Sequence, residues 1–360
     1  MIDYIGLMFA SFIALIVTFF ITYPIKHLAW KWHVLDHPEQ RKMHEHITPR
    51  MGGLAIFIGF SIGLLVLHPE HIHMKAVFLG GCIIVLTGLL DDRYTIRPII
   101  KLSGQLAAAI VLVMSGPGLV IEKITLPFLG MIDLGILAIP ITILWVVGIT
   151  NAINLIDGLD GLATGISTIA LTVFFIMSLI DLRIIAAYLS IILIGANIGF
   201  LYHNFYPAKI YMGDTGSNFL GYMIAVISML GLFKNIALLS FVIPVIILAV
   251  PIVDTVFAIV RRLMHHQHIM QPDNKHIHYQ LLKAGLSHKQ SVLVMYAFSG
   301  LFGIFAIFLA RASAGMTLIA VIIIFILVHL LAEIAGLVLG GQQPVINFFR
   351  KIFKRKKREN

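Results

Sequence analysis

The sequence is poor in charged residues and in cysteine. Only 12% of its 360 residues are charged and 59% are hydrophobic, whereas soluble domains usually carry about 25% charged residues. The one cysteine, Cys82, lies inside an apolar segment, which excludes an intrachain disulfide and a cysteine-based metal cluster. The apolar segments also lack the polar outer face that helices of a soluble bundle present to water. The composition therefore excludes an ordinary soluble protein and indicates a membrane protein.

Apolar stretches long enough to cross a bilayer recur along the whole chain. We predict an all-α polytopic membrane protein with about eleven transmembrane helices. These are expected near residues 5–24, 51–67, 76–90, 99–115, 135–150, 164–181, 183–202, 217–233, 236–260, 291–310 and 315–338. The first stretch follows Asp3 rather than a basic segment and is too long for a signal peptide, so we expect it to remain as a helix. Residues 116–134 alternate in polarity, the pattern of a small external β-hairpin.

The basic residues choose the orientation in the membrane. Most of the 26 lysines and arginines fall in one set of loops and in the tail, and the opposite side holds Lys75, Lys123, Arg183, Lys234 and Arg311. Because cytoplasmic loops carry the excess of basic residues, we predict an N-terminus outside and a C-terminus in the cytoplasm. Orientation also explains the net charge of +9 better than binding to nucleic acid does.

This topology divides the chain into one membrane domain and a tail. We predict a single integral-membrane catalytic domain over residues 1–338, followed by a basic cytoplasmic tail over residues 339–360 that anionic lipid attracts. The predicted cytoplasmic active-site loops are 25–50, 91–98, 151–163, 203–216 and 261–290. Most of the acidic and histidine side chains that could carry chemistry fall in or beside these loops.

Two acidic residues, Asp91 and Asp92, directly follow an apolar run. Adjacent carboxylates raise each other's pKa unless a cation neutralises them, and oxygen ligands shared with substrate phosphates suit Mg²⁺. A solvated acidic helix end explains an isolated Asp-Asp pair equally well. Lys101 and Gln105 follow on the next predicted span, where the lysine is placed to meet a phosphate.

Four amide or acid side chains recur at every third position between residues 151 and 160: Asn151, Asn154, Asp157 and Asp160. Gly158 and Gly161 indicate that the helix ends or breaks there, and a broken helix at membrane depth is tolerated where it lines a cavity. Helix capping explains one or two of the four residues but not all of them. The segment therefore favours a binding site.

A further motif begins at Tyr211 and enters a new apolar span through Gly213 and Asp214. Small residues and backbone amides at a helix start suit an anion, and Asp214 could add a third carboxylate to a metal site. The alternative for Asp214 is an N-cap. Tyr211 suits stacking on a base, although a lone tyrosine at an interface is more often a membrane anchor.

The first and last cytoplasmic loops add histidines and basic residues. Lys42 and His44 precede the glycine pair Gly52-Gly53 at a predicted helix start, which fits phosphate binding. His276 and His278 lie two apart, and they could bind zinc, pair with phosphate oxygens or position a proton donor. Asp254 lies inside a predicted span, where a paired structural role is at least as strongly indicated as a catalytic one.

These motifs, in this order and topology, resemble the polyprenyl-phosphate N-acetylhexosamine-1-phosphate transferases. They are Asp91-Asp92, the 151–161 segment, Gly213-Asp214-x-Gly216-Ser217 and His276-x-His278. Arg41-Lys42-x-His44 and Lys275-His276-Ile-His278 look like the branch that makes undecaprenyl-diphospho-GlcNAc, which starts wall teichoic acid and O-antigen synthesis. That branch commonly has His-x-His-His, and here the last position is Tyr279.

The resemblance implies a Mg²⁺-dependent enzyme of the bacterial plasma membrane, with Mn²⁺ as a possible substitute. The lipid phosphate would attack the β-phosphorus of UDP-GlcNAc and release UMP at the cytoplasmic face. Asp91, Asp92 and Asp214 would lie at the metal, with one of the first two as the base. The other catalytic residues would be Asp157 and Asp160, which would hold the UDP-sugar, and His276 and His278 on the sugar-phosphate side. Further substrate contacts would come from Lys42, His44, Lys101, Asn151, Asn154 and Tyr211. Relatives also form homodimers.

Three alternatives remain open on the sequence. The same chemistry could use another donor, UDP-GalNAc or the MurNAc-pentapeptide nucleotide. A metal- or proton-coupled transporter would place ionisable residues near the middle of several spans, whereas here most of them cluster at one face. A non-catalytic membrane scaffold would not require this set of acids and amides.

Overall fold

The computed structural model describes residues 3–36, 47–126, 130–231, 242–264, 266–268, 276–310 and 314–334. The first helices in this part of the chain are α1 (Tyr4–Lys31), α2 (Gly52–Leu67), α3 (Met74–Tyr94), α4 (Pro98–Met114), α5 (Ala138–Ile156), α6 (Leu162–Ile180) and α7 (Ile184–Asn204). They are followed by α8 (Gly213–Gly231), α9 (Val242–Ile247), α10 (Ala249–Met264), α11 (Ile277–Lys283), α12 (His288–Leu309) and α13 (Ala314–Ile334). Lys42, His44, Lys275 and the tail from residue 335 lie outside the described residues.

Six of these helices are long and apolar enough to cross a membrane. They are Tyr4–Lys31, Met74–Tyr94, Gly135–Ile156, Leu162–Ile180, Ile184–Asn204 and His288–Leu309, and shorter apolar helices occur at Gly52–Leu67, Pro98–Met114 and Ile322–Ile334. The chain is therefore a multi-pass, all-helical membrane protein, as predicted. The count of eleven spans and the orientation stay predictions.

The helix α8 is the centre of the bundle. Every one of its residues is buried, and it packs against α2, α3, α5, α6 and α7. A helix that is enclosed on all sides can be apolar all round, which suits the run from Phe219 to Leu230. Its first residues, Gly213 to Ser217, are the sequence motif expected at a helix start, so the most enclosed helix of the bundle carries that motif at one end.

The first helix packs closely against glycines of α7 and α2. Gly195 and Gly199 of α7 lie against the backbone of α1, where an added Cβ would collide with the carbonyl oxygens of Ser11 and Leu15. Gly59 of α2 lies equally close to Thr18 on another face of α1. Because lipid offers helices no hydrophobic drive to associate, close contact through small residues stabilises such packing.

Two predicted spans differ from the structure. The helix α1 continues to Lys31, well past the predicted end near residue 24, with Pro24 inside it. The predicted span over 236–260 is interrupted at one residue, since α9 ends at Ile247 and α10 begins at Ala249. Helical hydrogen bonds from Leu248 to Pro244 and from Ile252 to Leu248 continue through this point. Pro251 explains the break, because it has no N–H to donate to the carbonyl of Ile247 and its ring clashes with that carbonyl.

The described part of the chain contains two short antiparallel strand pairs. Strands β1 (Leu35–Asp36) and β2 (Thr48–Pro49) pair at the end of α1. Strands β3 (Lys123–Leu126) and β4 (Gly130–Asp133) form the predicted hairpin. The hairpin connects the end of α4 to the start of α5, while the start of α4 and the end of α5 lie at the opposite end of the bundle. That opposite end is where the candidate site is found.

Candidate active site

Asp92 caps the central helix. Its Oδ1 accepts a hydrogen bond from the backbone N–H of Asp214 at 2.8 Å, and its Oδ2 accepts from the N–H and the hydroxyl of Thr215 at 3.1 and 2.6 Å. The first N–H groups of a helix have no partner within the helix and attract negative charge. A carboxylate on α3 therefore holds the N-terminus of α8, which ties together two motifs that are far apart in the sequence.

Three glycines allow this approach. Gly53 of α2 lies on the backbone of Gly216, and Gly88 of α3 lies on the backbone of Thr215, so that a Cβ at Gly53 or Gly88 would overlap α8. Gly213 has φ +70°, a conformation that glycine adopts without strain. The turn before α8 is thereby clasped between α2 and α3.

Asp91 and Asp214 converge on one lysine. The Nζ atom of Lys101, near the start of α4, lies 2.7 Å from Oδ2 of Asp91 and 2.5 Å from Oδ2 of Asp214. The other oxygen of Asp91, Oδ1, is buried and accepts no hydrogen bond from the described residues. The structure thus brings the predicted residues Asp91, Asp92, Asp214 and Lys101 into one cluster.

Arg50 adds a second cation on the other side of the cluster. Its Nη2 lies 3.5 Å from Oδ1 of Asp92 and 3.4 Å from Oδ1 of Asp214, and its Nη1 lies 3.7 Å from Oδ1 of Asp36. The neighbouring carboxylates raise the pKa of the Arg50 guanidinium against the opposing effect of burial. In the sequence, Arg50 lies two residues before the glycine pair Gly52-Gly53, and its contact with the acidic cluster appears only with the structure.

The donor set fits Mg²⁺ as a two-carboxylate site. In the described part of the chain, no group of three or more His, Cys, Asp or Glu side chains is arranged to hold a metal. Mg²⁺ needs only one or two carboxylates, completed by water and substrate phosphate oxygens, and Asp91 and Asp214 supply these with the unpaired Oδ1 of Asp91. Both oxygens of Asp92 accept hydrogen bonds from α8, and its predicted role as a metal ligand stays a prediction.

A chain of amides extends from the cluster into the bundle. Asn151 donates to Oε1 of Gln105 at 2.7 Å, Gln105 donates to Oδ1 of Asn218 at 3.1 Å, and Asn218 donates to the carbonyl of Asp214 at 2.8 Å. Asn154 donates to the hydroxyl of Ser217 at 2.8 Å. Asn154 therefore contacts the first turns of α8 directly, and Asn151 contacts them through Gln105. The role of Asn218 in this chain of amides was not predicted from the sequence.

A recess lies beside this chain of amides. It is lined by Ile84, Thr87, Gly88, Asp91, Lys101, Gln105 and Asn218. Its polar end is formed by the ion pair of Asp91 and Lys101, and Ile84 lies two turns further along α3 in the apolar interior.

The turn between α5 and α6 carries the two remaining predicted acids. As predicted, the helix breaks here: α5 ends at Ile156, and Gly161 before α6 has φ +77°. Oδ2 of Asp160 accepts from the N–H of Ala208 at 2.9 Å, and its N–H donates to Nε2 of His288 at 3.0 Å. Burial, and then the nearby carboxylate of Asp214, raise the pKa of Asp157 to about 7.

The two predicted histidines lie on the far side of this turn. Nδ1 of His276 lies 2.9 Å from Oδ2 of Asp254 in α10. His278 is fully buried, and a Cβ added at Gly158 would collide with its imidazole. Burial lowers the pKa of His278 to about 4, so the ring is neutral at neutral pH. The histidine loop therefore reaches the 151–160 segment through His278, as a neutral group.

Tyr211 lies between α2 and the turn before α8. It forms a single β-bridge with Arg50, and its carbonyl accepts from the N–H of Gly52 at 2.9 Å. Its hydroxyl bonds to Thr48, and burial raises the pKa of that hydroxyl to about 12. The ring is only partly buried, which leaves a face for a planar ligand.

Comparison with known proteins identifies the family of this chain. The profile of glycosyl transferase family 4 matches residues 74–232, which include the acidic pair, the 151–160 segment and the start of α8. The chain is 45% identical to the probable undecaprenyl-phosphate N-acetylglucosaminyl 1-phosphate transferase of Bacillus subtilis strain 168, over 98% of each chain. The chain belongs to glycosyl transferase family 4.

More distant members of the family cover nearly the same length. The decaprenyl-phosphate N-acetylglucosaminephosphotransferase of Mycolicibacterium smegmatis is 36% identical, over 92% of this chain and 89% of its own. The undecaprenyl-phosphate alpha-N-acetylglucosaminyl 1-phosphate transferase of Escherichia coli K12 is 27% identical, over 96% and 94%. The resemblance inferred from the motifs is confirmed by these matches.

Proposed function

We propose that the protein transfers GlcNAc-1-phosphate from UDP-GlcNAc to undecaprenyl phosphate, giving undecaprenyl-diphospho-GlcNAc and UMP. The observation that carries the proposal is the 45% identity, over 98% of both chains, to a relative named for this transfer. The cluster of carboxylates and cations at the start of α8 supports it, because a diphosphate donor and a phosphate acceptor both need positive charge and hydrogen-bond donors.

In this reaction the chain's own residues hold two phosphorylated substrates together. Lys101 and Arg50 lie on opposite sides of Asp214, where an ammonium and a guanidinium can each bind phosphate oxygens. Asn151 and Asn154 would orient the nucleotide sugar, and the partly buried ring of Tyr211 would stack on its base. Holding acceptor and donor at this spacing supplies proximity and orientation, which lower the barrier substantially.

Asp91 and Asp214 would hold the metal. Mg²⁺, with Mn²⁺ as a substitute, would neutralise charge on the diphosphate and stabilise the departing UMP. The acceptor phosphate oxygen forms a bond to the β-phosphorus while the bond from that phosphorus to the bridging oxygen breaks. We favour direct attack over an aspartyl intermediate, because Asp91 and Asp214 would be engaged by the metal and both oxygens of Asp92 accept hydrogen bonds from α8.

We also propose that this site faces the cytoplasm of a bacterial plasma membrane. The support is the excess of lysine and arginine in the loops on the side of the site, which places that side inside. With eleven spans, the N-terminus lies outside and the basic tail in the cytoplasm. The product would begin wall teichoic acid or another cell-envelope polysaccharide. A homodimer stays a prediction.

The experiment that tests the function is UMP release by the purified protein in detergent. Undecaprenyl phosphate, Mg²⁺ and UDP-GlcNAc are each omitted in turn, and the metal is removed with EDTA and restored as Mg²⁺ or Mn²⁺. We expect UMP only when all three are present. Release with UDP-GalNAc or the MurNAc-pentapeptide nucleotide, but not with UDP-GlcNAc, would keep the chemistry and change the donor. Folded protein that releases no UMP with any of these donors would contradict the proposal.

A further inference from the structure

A buried acid in α10 holds the start of the histidine segment. Asp254 is 2% exposed, and both of its oxygens are used: Oδ2 lies 2.9 Å from Nδ1 of His276, and Oδ1 accepts from the N–H of Ile277 at 2.9 Å. A carboxylate inside an apolar helix is costly unless it is paired and hydrogen-bonded. These two contacts satisfy it, and they join α10 to a segment more than twenty residues further along the chain.

The short helix α11 depends on that anchor. It has 7 residues, and an isolated helix of that length is not stable in water. Asp254 accepts the N–H of its first residue, Ile277, and thus performs from another helix the task of an N-cap. Because the carboxylate faces Nδ1 of His276, that nitrogen carries a proton and donates it to Asp254 in a hydrogen bond.

The anchored segment places His278 against the candidate active site. The rings of His276 and His278 are parallel, with their centroids 5.8 Å apart. The ring of Tyr279, the next residue along the chain, also packs against His278, with a centroid distance of 4.2 Å. The atom of His278 nearest to Gly158 is Nε2, and Gly158 directly follows Asp157. Both ring nitrogens of His278 are buried and make no hydrogen bond to the described residues.

We propose that Asp254 is a positioning residue for the transfer reaction. It fixes His276 and the start of α11, and it thereby holds His278 on the turn between α5 and α6, where the nucleotide sugar binds. The kinetic part of this inference rests on the proposed function. Asp254 is not proposed to contact the substrate. It contacts His276, and its effect on turnover is therefore indirect and passes through that residue.

The test is a double-mutant cycle with a matched control. Asp254→Ala, His276→Ala and the double variant are compared in kcat and in KM for the UDP-sugar, each normalised to folded, monodisperse protein. Thr255→Val on the same helix is the control, because the hydroxyl of Thr255 makes no hydrogen bond to the described residues. Asp254→Asn tests conservative rescue, since its amide oxygen can still accept from Ile277.

We expect Asp254→Ala to lower kcat/KM by about 100-fold, the loss typical of a misplaced active-site group. In the His276→Ala background the same change should cost less than about 3-fold, because residues that act as one unit are not additive. Asp254→Asn should retain more activity than Asp254→Ala, and Thr255→Val should match the wild type. Should Asp254→Ala not fold, Asp254→Asn takes its place in the cycle.

Two results would overturn the inference. One is an Asp254→Ala protein that unfolds at a lower temperature but keeps the wild-type kcat and KM per folded molecule. That result would show that Asp254 has a purely structural role. The other is additivity of the two substitutions. Failure of the proposed function is distinguishable, because wild-type protein would then release no UMP. The same cycle measured by thermal unfolding would still report on the pair: coupling supports the anchoring of His276 by Asp254, and additivity contradicts it.

Discussion

Asp91 and Asp92 are neighbours in the sequence with different tasks in the structure. Asp91 pairs with Lys101 and has one unpaired buried oxygen, whereas Asp92 spends both oxygens on the N-terminus of α8. The sequence alone treats them as one acidic pair and assigns both to the metal. The separation of roles arises because successive residues of a helix point about 100° apart.

Those different roles predict different effects on stability. Asp92→Asn should lower the free energy of unfolding by about 1–2 kcal/mol, because an amide has one oxygen and cannot accept at both Asp214 and Thr215. Asp91→Asn should leave stability nearly unchanged, and both variants should lose UMP release. Thermal unfolding beside the activity assay measures both effects. Equal destabilisation by the two substitutions would contradict the cap.

The buried imidazole of His278 predicts a pH-dependent stability. Its pKa is lowered by burial to about 4 from an ordinary 6.5, so between these values the unfolded state binds a proton that the folded state does not. Stability therefore falls as the pH is lowered from 6.5 towards 4, by about 1.4 kcal/mol per pH unit, and this contribution is fully present above 6.5.

The comparison with His278→Gln isolates that contribution. Thermal unfolding in detergent at pH values from 7 to 5 should show a steeper loss of stability in the wild type than in the variant. Other histidines titrate in both proteins and cancel in the comparison. Parallel curves would mean that the ring of His278 is charged or solvated in the folded protein.

At the scale of elements, the site depends on how closely α8 can be approached. Gly88→Ala places a Cβ into the backbone of Thr215, so α3 and α8 must move apart and Asp92 can no longer cap α8. We expect a loss of several kcal/mol in stability, as for other overpacked cores, together with loss of activity. Thermal unfolding and UMP release are the measurements.

Gly148→Ala is the matched control for this prediction. Gly148 lies in α5 with nothing within 4 Å of an added Cβ, and alanine is favoured over glycine inside a helix by up to about 1 kcal/mol. The control should be neutral or slightly stabilising. A Gly88→Ala protein as stable and active as Gly148→Ala would show that α3 and α8 are not in close contact.

Local sequence patterns predicted the ends of secondary-structure elements well where one local feature determines them. The break after Ile156 follows from the glycines at 158 and 161, and the hairpin at β3 and β4 follows from alternation. The interruption at Leu248 in the predicted span over 236–260 was not predicted, because a proline such as Pro251 inside an apolar run can either kink a membrane helix or end it. Which of these occurs depends on the neighbouring helices.

At the scale of the whole molecule, the hairpin and the site mark opposite ends of the bundle, which makes the orientation testable. The sequence has 1 cysteine, so a Cys82→Ala background allows single-cysteine labelling. Glu122→Cys lies beside the hairpin and Lys209→Cys lies on the side of the site, both at exposed positions. A membrane-impermeant maleimide applied to intact cells should label Glu122→Cys and spare Lys209→Cys. The reverse pattern would invert the proposed topology.

The sequence by itself determined the class of protein, most of its helices and the members of the acidic and amide motifs. Those features are local: apolar length sets a membrane helix, and glycines and acids at helix ends stand out against an apolar background. The same local signals placed Asp91, Asp157, Asp160 and Asp214 near helix ends before any packing was known.

Only the tertiary structure decided which of these groups meet. The local sequence does not identify the partners of Arg50, Asn218 and Asp254. Each acquires its role from a residue far along the chain: Asp92, Gln105 and His276. The physical reason is that contacts between helices depend on how closely their backbones approach each other. Here glycines such as Gly53 and Gly88 allow the close approach, and the sequence does not show which helix each glycine packs against.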